Sequence, residues 1–257
     1  IFFKNKFDFV YISCPNQLHE KYVIKSLKSG SNVICEKPFV TSSKNIDKII
    51  NLSIKKKRLI FECFMFAYHP VFQSIKSIIK KKILGEIKYV ISNFKFPSQD
   101  KKNNRYFKKL GNGYFYDAAV YPISLENYLF NFKHKSKVFT EIIKEQVDLR
   151  GCTILFNKKV KRFYFWGEGQ NYSNNLEIFF NKGSLYVDKF YSKKFKEKIN
   201  LKIDNKGKSI LKVFKNIDHF EEMFKKIFKN YKKKSFMVKS RNLVRNQSKL
   251  LDFIKSA

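Results

Sequence analysis

FDFVYISCPNQLHEKYVIKSLKSGSNVICEKP, residues 7–38, is the stretch from which the fold is read. Its first apolar run, Phe9 to Ser13, ends at a Pro-Asn turn, the pattern of a buried strand followed by a loop. Leu18, Tyr22, Val23 and Leu27 then recur at helical spacing, and Gly30 supplies a C-terminal stop. Asn32–Cys35 form a second short apolar run. At its mouth stand a carboxylate and an ammonium, Glu36 and Lys37, followed at once by Pro38.

The pattern continues outward. Thr41, Ser42 and Ser43 are good N-caps, and Ile46, Ile49, Ile50 and Ile54 lie on one helical stripe. RLIFECFMF, residues 58–66, reads as a third buried strand. Strand, helix, strand, helix, strand at these lengths predicts βαβ units and a parallel sheet. Ligands of such sheets bind beyond the carboxyl ends of the strands. Pro15, Asn16, Glu36 and Lys37 all fall there.

After Tyr68-His69-Pro70 the pattern changes. Residues 71–85 predict an amphipathic helix closed by Gly85, and residues 86–96 a long strand. A glycine-rich turn then leads into a helix from about Asp117. Beyond Lys137 apolar and polar residues alternate in strand-length runs, KVFTEIIKEQVDL first among them. Two helices close the chain, near Asp218 to Tyr231 and Val238 to Lys255. The expected fold is α/β plus α+β. A partial doubly wound parallel sheet, residues 1–66, precedes a large, mostly antiparallel, open-faced sheet with helices on one face, residues 67–257.

The 257 residues are 44% apolar and 17% aromatic, a globular composition. No run is long and apolar enough to predict a membrane span. The net charge of +33 invites a polyanion partner. The basic residues are nearly all lysine, however, beside an abundance of Ile, Asn, Phe and Tyr, and AT-rich codons alone give that mixture. Arginine, the residue of bidentate phosphate and base contacts, is confined to Arg58, Arg105, Arg150, Arg162, Arg241 and Arg245. A nucleic-acid partner is therefore disfavoured. Cys14, Cys35, Cys63 and Cys152 show no C-x-x-C spacing, and the four histidines show no metal-ligand spacing. No metal site is expected, and free cysteines suit a reducing cytoplasm.

Taken alone, Glu-Lys-Pro is an ordinary solvated strand end. In GNGYFYDAAVY, Gly111 and Gly113 permit a close backbone approach or positive φ, and Asp117 and Tyr121, four apart, share a helix face. Alone, that too reads as a helix-terminal acid and a core tyrosine. The ordered set is more specific. It comprises Pro15, Asn16 and His19 after the first strand, CEKP after the next, GNGYFYDAAVYP some eighty residues on, and YSNNLEIFFNKGSLYVDKFYS in the later sheet. This set resembles the family of glucose-fructose oxidoreductase, inositol dehydrogenase and related NAD(P)-dependent sugar dehydrogenases, over essentially the whole chain. DHFEEMFKKIF and QSKLLDFIKSA look like members that act on nucleotide-linked deoxysugar ketones.

The resemblance implies a hydride transfer between NAD or NADP and a sugar or nucleotide-sugar. It casts Lys37 as the group that hydrogen-bonds the reacting oxygen, before a Lys37–Pro38 bond that is often cis in the family. Tyr121 becomes the proton donor or base, and Asp117 orients the substrate or Lys37. Pro15, Asn16, His19, Glu36 and Pro38 fall on the cofactor side, and Arg105 is a weaker candidate for substrate or phosphate. Lys37 beside Tyr121 is expected to depress both pKa values. The resemblance also implies a homo-oligomer formed through the large sheet. Asn112 replaces a family glycine, Ala119 replaces another near the substrate, and Ala67 stands where many relatives carry arginine. The family's glycine-rich diphosphate loop has no counterpart, so the chain is expected to be a fragment or a truncated frame lacking roughly seventy leading residues. The rival expectation is a degenerate, non-catalytic member serving as an interaction scaffold.

Overall fold

The computed structural model describes residues 3, 5, 7–100, 102–107, 109, 113–130, 135–142, 147–195 and 197–256. Gly111, Asn112 and His134 lie outside the described residues.

Three parallel strands form the first sheet in the order β1 (Phe9–Ile12), β2 (Asn32–Glu36), β3 (Ile60–Cys63). Val10 pairs with Val33, which pairs with Ile60, and Ile12 pairs with Cys35, which pairs with Glu62. β2 is buried from Asn32 to Cys35 because it is central, whereas edge strand β1 alternates between buried Val10 and Ile12 and exposed Tyr11. Helices α1 (His19–Lys28) and α2 (Ile46–Lys56) cover one face, packing Val23, Leu27, Ile46, Ile49 and Ile50 on the strands. Gly30 follows α1 at φ +85°, a turn that only glycine makes cheaply. Ile54, expected on the buried stripe, is exposed in the last turn of α2.

A 3-10 turn, Met65–Tyr68, leads to α3 (Pro70–Lys80), whose N-cap His69 accepts the Val71 N–H on its side chain. The large sheet runs β11 (Lys208–Phe214), β10 (Ile199–Asn205), β9 (Gly183–Asp188), β8 (Ser173–Phe180), β4 (Ile87–Lys95), β7 (Lys161–Gly167), β6 (Asp148–Phe156), β5 (Lys135–Ile142). All neighbours are antiparallel except β4 and β7. The stretch KVFTEIIKEQVDL, taken as one run, spans two strands, β5 and the start of β6.

One face of this sheet is the core: Val90, Tyr164, Trp166, Leu176, Ile178, Leu185, Val187 and Leu201 are all buried. The opposite face leaves Tyr89, Phe139, Phe165, Tyr186 and Leu211 exposed, in line with the pleat. Against the buried face lies a wide π-helical turn, Phe115–Ala119, continued by α4 (Val120–Leu125) and a second π segment, Glu126–Phe130. The expected helix thus starts two residues before Asp117. Its wide turns are held by amides donating to Tyr114 O, from Ala118 at 2.6 Å and Ala119 at 3.2 Å. α5 (His219–Asn230) and α6 (Lys234–Lys255) end the chain. α6 begins four residues earlier than its apolar periodicity suggested and returns to the first sheet, where Ser240 Oγ donates to Ile60 O at 2.6 Å.

Candidate active site

The carboxyl ends of β1 and β2 carry the turns that the sequence singled out. Beyond β1, Pro15 O accepts Leu18 N at 2.8 Å, closing the 3-10 turn Asn16–Leu18 that feeds α1. His19 then ties this turn to its neighbour: Nδ1 lies 2.7 Å from Pro38 O and Nε2 lies 2.8 Å from Cys14 O. Burial lowers the His19 pKa, against the two carbonyls, which favour the doubly protonated ring. Beyond β2, Glu36 accepts a short hydrogen bond from the Tyr11 hydroxyl, the Lys37–Pro38 peptide is cis, and Phe39 N donates to Glu62 Oε1 at 2.8 Å.

Lys37 reaches from this turn to the π-helical one. Its Nζ lies 2.7 Å from Asp117 Oδ1 and 2.7 Å from Asp117 O. Asp117 Oδ2 accepts Arg105 Nε at 2.5 Å, so one carboxylate holds two cations. Burial alone would raise the Asp117 pKa; Lys37 and Arg105 outweigh it and hold the carboxyl at about 2. Gly113 fixes the approach to this turn. At φ +81° its missing Cβ would stand 2.3 Å from Asp148 Oδ1, and Asp148 accepts the Phe115 N–H. Tyr116 OH donates to Thr41 O at 2.7 Å, a second tie between the π turn and the segment after Pro38.

The ammonium of Lys37 stands over the Tyr121 ring, 4.7 Å from its centroid. The ring is walled by Phe64, Phe66, Phe94 and Tyr191, and the hydroxyl points to Met65 Sδ at 4.0 Å. The expectation that Lys37 lowers the Tyr121 pKa is overturned. Burial raises it well above 10, with Glu36 and Asp117 adding to the rise. The cation meets the face of the ring, and the loss of water around the phenol dominates.

The structure therefore gathers Lys37, Asp117, Tyr121 and Arg105 into one cluster, with Glu36 and Pro38 in the adjoining turn. Pro15 and Asn16 lie one strand over, joined to that turn through His19. Sequence reasoning passed over Glu62, Met65 and Asp148. Glu62 had a signal, being the one acid within the apolar run 59–66; the other two act through contacts that no spacing encodes.

Two family models match the chain: the oxidoreductase family NAD-binding Rossmann fold over residues 2–64, and the GFO/IDH/MocA C-terminal domain over residues 72–186. Among curated proteins, the dTDP-3,4-didehydro-2,6-dideoxy-alpha-D-glucose 3-reductase of Actinomadura kijaniata is 24% identical over 188 residues, 72% of this chain and 57% of that protein. The trans-1,2-dihydrobenzene-1,2-diol dehydrogenase of Xenopus laevis is 27% identical over 124 residues, 48% of this chain and 37% of that protein. The chain thus spans little more than half the length of the first of these relatives. Among solved structures, a 3-ketoreductase from Actinomadura kijaniata bound to NADP and TDP-benzene superposes with a TM-score of 0.88 at 21% identity, covering 97% of this chain and 78% of that one. The aldose-aldose oxidoreductase of Caulobacter crescentus, with glycerol, gives 0.80 at 15% identity, covering 97% and 77%. Those likenesses carry the fold. The first family model covers all three parallel strands and the second runs from α3 into β9, and the chain belongs to the GFO/IDH/MocA family of oxidoreductases.

Proposed function

We propose that this chain carries the substrate-side chemistry of an NAD(P)-dependent oxidoreductase acting on a sugar or nucleotide-sugar. The observation that supports it is the placement of Lys37 between the Asp117 carboxylate and the Tyr121 ring, at the carboxyl end of a parallel strand. Residues 1–66 are assigned to the cofactor side and 67–257 to the substrate side. The turns at Pro15–Asn16 and Glu36–Pro38, with His19 bracing them, suit a nicotinamide cofactor: a carboxamide and an ammonium stand where a polar ligand meets the sheet. The nicotinamide, when bound, supplies or accepts the hydride.

Hydride addition to a ketone builds negative charge on its oxygen. The Lys37 ammonium, held by Asp117, meets that charge in a site shielded from water, the condition under which a fixed cation is most effective. Arg105 bears on the same carboxylate and leaves Lys37 no slack. Tyr121 holds its proton through the whole neutral range, because burial raises its pKa. It can therefore give that proton to an alkoxide, which is far more basic, during keto reduction, and the same group takes the proton back in the reverse direction. Its present partner, the Met65 thioether, is a weak acceptor that a substrate oxygen displaces. Names among the relatives suit keto reduction: the Actinomadura kijaniata protein is a reductase of a dTDP-linked keto sugar, and a 3-ketoreductase of the same organism was solved with TDP-benzene and NADP as tyrosine and lysine variants.

The test follows NADPH absorbance with a nucleotide-linked keto sugar. Lys37→Ala and Tyr121→Phe are each expected to lower kcat by roughly 10²–10⁴-fold with the fold intact. Turnover at the wild-type rate by either variant removes that residue from the chemistry.

The exposed aromatic face of the large sheet is proposed as a homo-oligomer interface. The four free cysteines suit a reducing, cytoplasmic setting. No helix among the described residues is long and apolar enough to cross a membrane.

A further inference from the structure

Two ties join the π turn to the strand end that presents Lys37. One is the contact of Lys37 with Asp117. The other involves no reacting group: the Tyr116 hydroxyl donates to Thr41 O at 2.7 Å. Tyr116 directly precedes Asp117, and Thr41 lies four residues after Lys37. The second tie therefore spans the same gap as the first, from positions close to it on both sides.

Tyr116 is built into that place. It is only 2% exposed, so its hydroxyl needs a partner inside the protein. Burial, with Asp252 and Asp148 nearby, raises its pKa, so it remains a donor throughout the neutral range. The last turn of α6 backs both ends of the tie. On one side the Lys255 ammonium stands 4.4 Å from the Tyr116 ring centroid and donates to its hydroxyl oxygen at 3.3 Å. On the other, Asp252 Oδ2 accepts the N–H of Ser43 at 2.7 Å, two residues beyond Thr41. Among the described residues, Tyr116 and Lys37 share no hydrogen bond or ring contact. Any influence of one on the other passes through the π turn and the segment after Pro38.

We propose that Tyr116 is a positioning residue: its hydroxyl, fastened to the Thr41 carbonyl and backed by Lys255, holds the π turn against the segment after Pro38 and so sets the Asp117 carboxylate on the Lys37 ammonium. The proposal rests on the reading of Lys37 as the group that meets the reacting oxygen. A phenol that served packing alone would contribute the same stability whether or not the Lys37 ammonium were present.

The experiment compares urea unfolding of the full chain as wild type, Tyr116→Phe, Lys37→Met and the double variant. Phenylalanine keeps the ring beneath Lys255 and removes only the hydroxyl. Methionine keeps most of the Lys37 stem and removes only the charge. Independent sites multiply their effects on the folding equilibrium constant, whereas coupled ones do not. The fold-loss caused by Lys37→Met should shrink at least about threefold in the Tyr116→Phe background. In parallel, Tyr116→Phe should lower kcat for the nucleotide-linked keto sugar by roughly 10–10²-fold, the scale of a small misplacement of a catalytic group, with KM for NADPH unchanged. Losses that simply multiply overturn the proposal, and so does a Tyr116→Phe protein that turns over at the wild-type rate. A wild-type chain with no turnover refutes the enzymatic reading instead, and the unfolding cycle still decides whether Tyr116 governs the placement of Asp117 on Lys37.

Discussion

Replacing Asp117 by asparagine removes the one carboxylate that two cations share. The side chain keeps its shape, but its oxygen can serve only Lys37 or Arg105, and its NH2 then faces the other. The scale follows from the carboxyl's own equilibrium. Its pKa is held from 3.8 down to about 2, and at about 1.36 kcal/mol per pH unit the folded protein prefers the anion by about 2–3 kcal/mol. Breaking a fully buried pair costs about 3–5 kcal/mol. Lys37 and Asp117 are 10% and 15% exposed but Arg105 is 36% exposed, so water cushions one partner and the lower figure is the better guide. A loss of about 2–3 kcal/mol lowers Tm by roughly 5–10 °C for a chain of this size. The single tryptophan, Trp166, is fully buried with its ring centroid 5.8 Å from that of Phe115 in the π turn, so its fluorescence reports urea unfolding at the right place. A carboxyl held below its unfolded pKa contributes stability that is complete above about pH 4 and is lost as pH falls toward 2. The gap between wild type and Asp117→Asn should therefore be level from pH 8 to pH 5 and close below pH 4. A variant within about 0.5 kcal/mol of wild type at pH 7, or a gap that persists undiminished at the acid end, refutes the claim that Asp117 is the hub of the cluster.

The Arg162–Glu126 pair spans 2.7 Å with both side chains buried, and Tyr164 OH adds a 2.5 Å bond to the same oxygen. Glu126→Ala should cost about 3–5 kcal/mol in urea unfolding, and a second change, Arg162→Met, should restore much of it; no recovery in the double variant contradicts this. His69 and His219 stack edge to face at 4.7 Å, and burial holds them neutral, with pKa values of about 4 and about 3. Both folded values lie below the ordinary 6.5, so their contribution is whole above pH 6.5 and drains away as pH falls toward 4. His219→Phe should shrink the drop in Tm between pH 7 and pH 5, and an unchanged drop in a thermal scan counts against that assignment. Phe165→Asp with Tyr186→Lys should shift the chain to monomers in light scattering; the same mass before and after places any interface elsewhere.

The two layers of this protein were legible for different reasons. β1, β2 and β3 were plain in the sequence because each is a short apolar run stopped by Pro, Gly or charge, and in β2 and β3 burial on both faces leaves no ambiguity of period. The alternating runs beyond residue 137 gave strands but not their order. That β4 lies parallel to β7, between it and β8, is a matter of pairing across more than seventy residues, which local pattern does not encode. The cluster was legible as residue types in sequence order, Lys37 first and Asp117 with Tyr121 eighty residues later. Its electrostatics were not. Proximity of an ammonium suggested an acidic phenol, yet the aromatic wall of Phe64, Phe66, Phe94 and Tyr191, drawn from three segments, makes desolvation the larger effect. Glu62 stood out as a lone acid in an apolar run, but the Phe39 amide that uses it becomes visible only once β2 and β3 are paired.

The widened turn at Phe115–Ala119 has a consequence for what this scaffold tolerates. A π turn is an α-helix carrying one surplus residue, and excising that residue is the mildest deletion a helix can suffer. Here it would rotate everything upstream by about 100° relative to Tyr121. The carboxylate would swing off the ammonium while every hydrophobic residue downstream stayed in register. A one-codon loss at Ala118 or Ala119, between the carboxylate and Tyr121, would thus turn Asp117 away and leave α4 in place, whereas the same loss inside α4 would disturb the core first.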